Sequence, residues 1–205
     1  MFATLAGAYP PPRPAGVGRA DRALRAVLLD QLEAGLELLS DGAVGAPDPV
    51  ALVAAGMDGV GLGAPGPWFD GHRTVARPLV RRTPAWREPS VVAGWQVAQA
   101  MAGTLAADRA EAPRPVKASL LGPYTLGRVA ERGRLGRRRV TLAFAEAIAA
   151  EVTALADAGA LIVQVDEPAL TLIGPDDGTE RTLAAEALRR LTDRVPDVHL
   201  TLAVL

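Results

Sequence analysis

The chain has 205 residues, is 49% hydrophobic, and sets 22 basic against 23 acidic side chains for a net charge of −1, enough for one sizeable core and too near neutral to be drawn to nucleic acid or a membrane surface. It has no cysteine, which excludes disulfides, thiolate nucleophiles and thiolate zinc ligands from these residues. No apolar run approaches the roughly 18 residues of a membrane span and Met1 to Tyr9 lacks the basic head of a secretion signal, so a cytoplasmic location is expected.

Phe2 to Ala8 is a short apolar run, expected as the first strand and closed by Tyr9 and a Pro10-Pro11-Pro12 block. From Arg19 to Ala34 the apolar residues Leu24, Val27, Leu28 and Leu32 recur at helical spacing, and Gly35 ends that helix. Leu36-Glu-Leu-Leu-Ser-Asp-Gly42 reads as strand two, with Asp41 at its C-terminal edge, and Asp48-Pro49 is an N-cap and first-turn pair for a short helix through Ala55. Residues 57–90, rich in Gly, Pro, Trp and Arg, read as an insertion between strands two and three. Within it, Gly61-Leu-Gly-Ala-Pro-Gly66 matches a dinucleotide fingerprint as a string only, because a proline interrupts it and no helix follows; a loop is expected. Trp68, Phe69 and Trp86 could cover a ligand or form a satellite core.

A helix is expected from Val92 to Ala106, then strand three from Pro115 to Leu121, then a tight Gly122-Pro-Tyr-Thr125 turn opening a short helix. The basic run Arg128, Arg132, Arg134 and Arg137 to Arg139 reads as a solvated helix face in preference to an anion site. Leu142, Ala145, Ile148, Val152 and Leu155 line a long helix that feeds Leu161 to Val165, a buried parallel strand by its aliphatic run. Two acids follow at once, Asp166 and Glu167, and Pro168 forbids the strand from continuing as a donor. A last helix over Thr179 to Arg194 and a fifth strand over Val198 to Leu205 complete the sequence. Scarce lysine beside abundant arginine and alanine reads as genomic base bias.

Repeated β-α alternation implies a parallel sheet, and two carboxylates at a strand's C-terminal end mark the side where such sheets bind ligands. The predicted fold is α/β, a (β/α)8 barrel of which 1–205 forms a single domain with about the first five units. An open parallel edge after strand five leads to the expectation that the domain is C-terminally incomplete, with further chain or a partner closing the barrel.

Four stretches resemble the catalytic half of cobalamin-independent methionine synthase and its single-barrel relatives, within the superfamily that also holds uroporphyrinogen decarboxylase. Ala6-Gly-Ala-Tyr-Pro10 resembles the family's Ile-Gly-Ser-Phe-Pro; Gln31 to Gly42 resembles the helix and strand ending in Asp-Gly-Glu; Val116 to Thr125 resembles the Gly-Pro-x-Thr turn; and Gln164-Val-Asp-Glu-Pro-Ala-Leu170 resembles its most specific signature. The resemblance implies methyl transfer from methyltetrahydrofolate, or another donor, to the thiol of homocysteine or a related compound, as in methionine biosynthesis. It implies a small-molecule substrate, no nucleic acid and no membrane, and zinc that lowers the pKa of the thiol. It carries substrate contacts onto Asp166, Glu167, Tyr9, Asp41, Gly122 and Thr125. The family's metal-binding His-x-Cys pair falls on Ala203 and Leu205, neither able to coordinate zinc, so the metal is expected to be absent. The family's first-strand Ser is Ala8 and the Glu of Asp-Gly-Glu is Ala43. His199 lies elsewhere on that last strand and is expected to be hidden. A non-catalytic barrel binding an amino-acid-like or pterin-like ligand, or partnering an active subunit, is the alternative. A decarboxylase-like branch would need basic residues near the first strand, where Arg13 and Arg19 are the candidates.

Overall fold

The computed structural model describes residues 3–9, 18–45, 48–69, 71, 73–195 and 197–204. Its centre is a parallel sheet of β1 (Leu39–Ser40), β6 (Val116–Leu121), β7 (Ile162–Asp166) and β8 (His199–Ala203), in that spatial order. Thr4 adds a parallel bridge to Leu38 at the β1 edge, so the predicted first strand is reduced to one β-bridge among the described residues. Strand two is shorter than Leu36 to Gly42, because Gly35 at φ 77° and the turn from Asp41 each divert the backbone.

The helices form where apolar spacing predicts them. α1 (Arg19–Glu33) buries Leu24, Val27, Leu28 and Leu32. α2 (Pro49–Ala55) starts on Asp48, whose carboxylate accepts from the Val50 and Ala51 amides. α3 (Val92–Asp108), α5 (Arg137–Asp157) and α6 (Gly178–Thr192) lead into β6, β7 and β8 respectively. The short α4 (Pro123–Val129) follows β6, and a 3₁₀ turn (Pro168–Leu172) follows β7. Four neighbouring parallel strands separated by helices make the first part of a β/α barrel.

Residues 57–90 are more ordered than the expected loop. β2 (Met57–Leu62) and β5 (Pro78–Trp86) form an antiparallel ribbon with an irregularity between Asp58 and Val60, while β3 (Gly66–Pro67) pairs with β4 (Thr74–Val75). Gly61 thus lies near the end of β2 and Gly66 begins β3, and the glycine-rich string opens no helix. The irregularity falls at Gly59, whose φ of 79° and close approach to the Arg82 and Thr83 carbonyls exclude a side chain.

Three arginines of the basic run meet acids of α6: Arg128 and Arg137 meet Glu180, and Arg138 meets Glu186. In the other direction, Arg190 of α6 and Arg194 just beyond it meet Glu146 of α5. Such pairs fix helix faces while contributing little stability each.

α4 and α5 cross at unusually close range. A Cβ on Gly127 would lie 2.0 Å from the Thr141 hydroxyl and 3.0 Å from its Cα. Gly→Ala inside a helix ordinarily stabilises by about 1 kcal/mol. At this crossing Gly127→Ala is expected to reverse the sign and cost about 1–3 kcal/mol through overpacking. The urea midpoint measures it, and an unchanged or raised midpoint would show that the two helices separate freely.

Candidate functional site

The parallel strands end together. Leu121 pairs in register with Asp166, and Asp166 with Ala203, so the C-terminal ends of β6, β7 and β8 form one rim. Side chains alternate along a strand, so residues two apart share a face. On β6 this places Lys117 and Ser119 on the interior, and on β7 it places Gln164 and Asp166 there; all four line a cleft completed by Ser40, Asp41 and Trp68.

The alternation separates the two acids of Asp-Glu-Pro. Asp166 faces the cleft, where its Oδ1 accepts from Gln164 Nε2 at 2.6 Å. Burial pushes its carboxyl above the ordinary aspartate value, with the Gln164 bond and the Lys117 charge opposing. Glu167 faces the other way and is completely buried. Its Oε1 accepts from the Tyr124 amide at 2.8 Å, and its Oε2 accepts from the Thr125 amide at 2.7 Å and the Thr125 hydroxyl at 2.6 Å. A carboxylate at this helix start satisfies amides that have no partner within the helix. Burial nevertheless pushes its carboxyl up to about 7, the three donors opposing.

This geometry divides the residues that the sequence grouped as substrate contacts. Asp166 and Asp41 line the cleft. Glu167 and Thr125 instead join β7 to the start of α4. Gly122 belongs to the same joint, since a Cβ there would fall 2.3 Å from Glu167 Cδ. Tyr9 also stands away from the cleft wall, its hydroxyl donating to Asp30 at 2.6 Å on an exposed face. Its backbone amide donates to the Gly42 carbonyl, which ties the first segment to the turn after β1.

Asp41 follows β1 and accepts the Ala43 amide at 3.0 Å; burial raises its carboxyl, and that bond lowers it. The end of β1 is held by Gln31 of α1, whose amide group exchanges hydrogen bonds with both the Ser40 amide and carbonyl.

Lys117 is the residue that the sequence reading passed over. It is only 3% exposed, and its ammonium donates to the Leu5 carbonyl and, at 2.6 Å, to Gln164 Oε1. Burial lowers its pKa while the Asp166 charge raises it. The available signal was its rarity: it is the sole lysine among 22 cationic side chains, placed in an apolar strand. Base bias explains a scarcity of lysine but not one retained in the core.

Ala203 lines the cleft at the end of β8, and Leu205 lies outside the described residues. Among the described residues no three His, Cys, Asp or Glu side chains form a metal-binding group. The methyl group of Ala203 supplies no metal donor at this point of the rim. His199 starts β8 at the opposite end from the rim and is exposed, contrary to the expectation that an apolar strand hides it; its strand lies at the edge of the sheet. Arg13 lies outside the described residues, and Arg19 is an exposed residue at the start of α1.

Residues 16–192 match the family described as the cobalamin-independent synthase catalytic domain. A 5-methyltetrahydropteroyltriglutamate–homocysteine methyltransferase from Synechococcus sp. is 36% identical over 143 residues, covering 68% of this chain and 18% of that protein. The Halalkalibacterium halodurans protein of the same name is 34% identical over 143 residues, with the same coverage. The chain thus spans about a fifth of the length of these curated relatives. Among solved structures, a B12-independent methionine synthase from Shewanella sp. in complex with selenomethionine superposes with a TM-score of 0.74 at 21% identity, over 98% of this chain and 60% of that one. A putative B12-independent methionine synthase from Listeria monocytogenes gives 0.66 at 14% identity, over 91% and 54%. These two share the fold. With the family profile matched across most of its length, the chain belongs to the cobalamin-independent synthase catalytic-domain family.

Proposed function

We propose that the chain is a methionine-synthase-like S-methyltransferase barrel with a degraded metal site. Its cleft holds an amino-acid thiol such as homocysteine, and methyltetrahydrofolate or another donor supplies the methyl group. The carrying observation is the pair of carboxylates, Asp166 and Asp41, on one cleft at the C-terminal rim of a parallel sheet. An ammonium group is the natural complement of such a pair, since an opposite charge keeps partly buried carboxylates ionised. The Shewanella relative's complex with selenomethionine supports an amino-acid ligand. No helix among the described residues is long and apolar enough to cross a membrane, and we assign the protein to the cytoplasm on that family reading.

A second reading, a barrel that binds such a ligand without catalysis, is favoured by one feature. Ala8, Ala43 and Ala203, which stand where the resemblance puts Ser, Glu and a zinc-binding His, all line the same cleft. Three methyl groups around the cleft remove polar contacts without removing the cleft.

Zinc analysis of the purified protein and calorimetry with homocysteine test both readings. Homocysteine heat with zinc far below one per chain, together with methylation of the thiol, is expected from the first. Binding without methylation supports the second. Zinc near one per chain with thiol-dependent binding would overturn the degraded-site assignment, and no heat would remove homocysteine as the ligand.

A further inference from the structure

Lysine donates hydrogen bonds and cannot accept them, whereas a glutamine side chain does both. Lys117 Nζ lies 2.6 Å from Gln164 Oε1, so the amide oxygen of Gln164 must face the lysine. The NH2 group must then face Asp166, whose Oδ1 lies 2.6 Å away. Reversing the amide would set donor against donor at Lys117 and carbonyl against carboxylate at Asp166. The glutamine orientation, ordinarily a matter of assignment, is decided here by the chemistry at its two ends.

We propose that Lys117 is a positioning residue for Asp166. Through Gln164 it fixes which carboxylate oxygen the protein occupies and leaves Oδ2 for the ligand. The role rests on the reading above in which Asp166 receives the ligand's ammonium group, and it adds the residue that prepares Asp166 for the contact. Among the described residues Gln164 is the hydrogen-bond donor to the Asp166 side chain, so the relay is its one fixed support. Lys117 also reaches the Leu5 carbonyl, which anchors the relay to the first segment of the barrel. The charged groups around Asp166 are Lys117 from β6, Asp41 from the end of β1, Arg73 on the cleft wall, and Glu167 behind β7. Lys117 is the cation that acts on Asp166 from within the sheet, and its charge favours the ionised carboxylate.

A simple strut between Leu5 and β6 would give Lys117 the same burial, so the test reads coupling as well as stability. Because this is the only lysine, ¹⁵N-lysine labelling gives a single ammonium resonance. Titrating that resonance in the wild type and in Asp166→Asn is expected to show a lower pKa in the variant, because the Asp166 charge raises it in the wild type. Lys117→Met, of similar length and without charge, should raise the Asp166 carboxyl by the same amount, since coupling between two sites is reciprocal. Gln164→Leu, which leaves the Lys117–Leu5 bond in place, should release Asp166 from its fixed rotamer and weaken homocysteine binding. An unchanged lysine titration in Asp166→Asn would overturn the proposal, and if Lys117→Met does not fold, that measurement decides alone. Coupling without homocysteine binding would refute the ligand reading and leave the positioning role standing. Homocysteine binding without coupling would do the reverse.

Discussion

Replacing Glu167 with alanine is expected to destabilise the fold by about 3 kcal/mol, measured as the change in unfolding free energy in urea. The carboxylate accepts three hydrogen bonds where β7 meets α4, from the Tyr124 amide, the Thr125 amide and the Thr125 hydroxyl. A buried donor that loses its acceptor costs roughly 1–3 kcal/mol. Against this stands relief from burying a carboxyl whose pKa is pushed up to about 7, which brings the net down from the sum of three such penalties. The pH dependence has a definite sign. Between about 4.5, its ordinary value, and about 7, the folded protein holds a proton that the unfolded chain has released. Stability from this group is therefore full below that window and falls as pH rises through it, by roughly 3 kcal/mol at most. The stability difference between the wild type and Glu167→Gln, followed from pH 4 to pH 8, isolates this leg because other groups cancel. A difference that is flat with pH would mean that folding leaves the Glu167 carboxyl at its ordinary value.

Asp166→Asn is expected to weaken homocysteine binding by about 100-fold or more while leaving the fold intact. Its side-chain oxygen can still accept from Gln164, so no buried donor is orphaned. The ammonium of the ligand instead meets a neutral amide in a partly buried cleft, where loss of one member of a hydrogen-bonded charge pair costs about 2–5 kcal/mol. Asp41→Asn should cost less, about tenfold, because one of its oxygens remains committed to the Ala43 amide. In the wild type, ammonium binding requires an ionised Asp166. Affinity should then be full above its pKa in the folded protein and fall as pH drops through it, beginning above the ordinary aspartate range because burial raises that pKa. Calorimetry across pH checks both statements. Equal affinity in Asp166→Asn would remove Asp166 from the site.

The sequence determined the fold class, because helical spacing in α1, α3, α5 and α6 and the aliphatic run in β7 are local signals that survive burial. It also located the rim, since Pro168 stops β7 directly after its two acids. The ribbon over residues 57–90 was hidden because its pairing depends on partners such as Met57 and Trp86, about thirty positions apart, and on a glycine conformation with no periodic mark. Only tertiary structure decided the placements at the rim. Asp166 and Glu167 are neighbours in sequence, yet strand alternation sends one into the cleft and the other to the start of α4. Gly122 and Thr125 followed Glu167 for the same reason, because close contact across two strands fixes their partners and residue type does not. Lys117 became meaningful only when β6 and β7 paired in parallel and placed its ammonium beside Gln164, since the energy of a buried charge is set by what surrounds it in space.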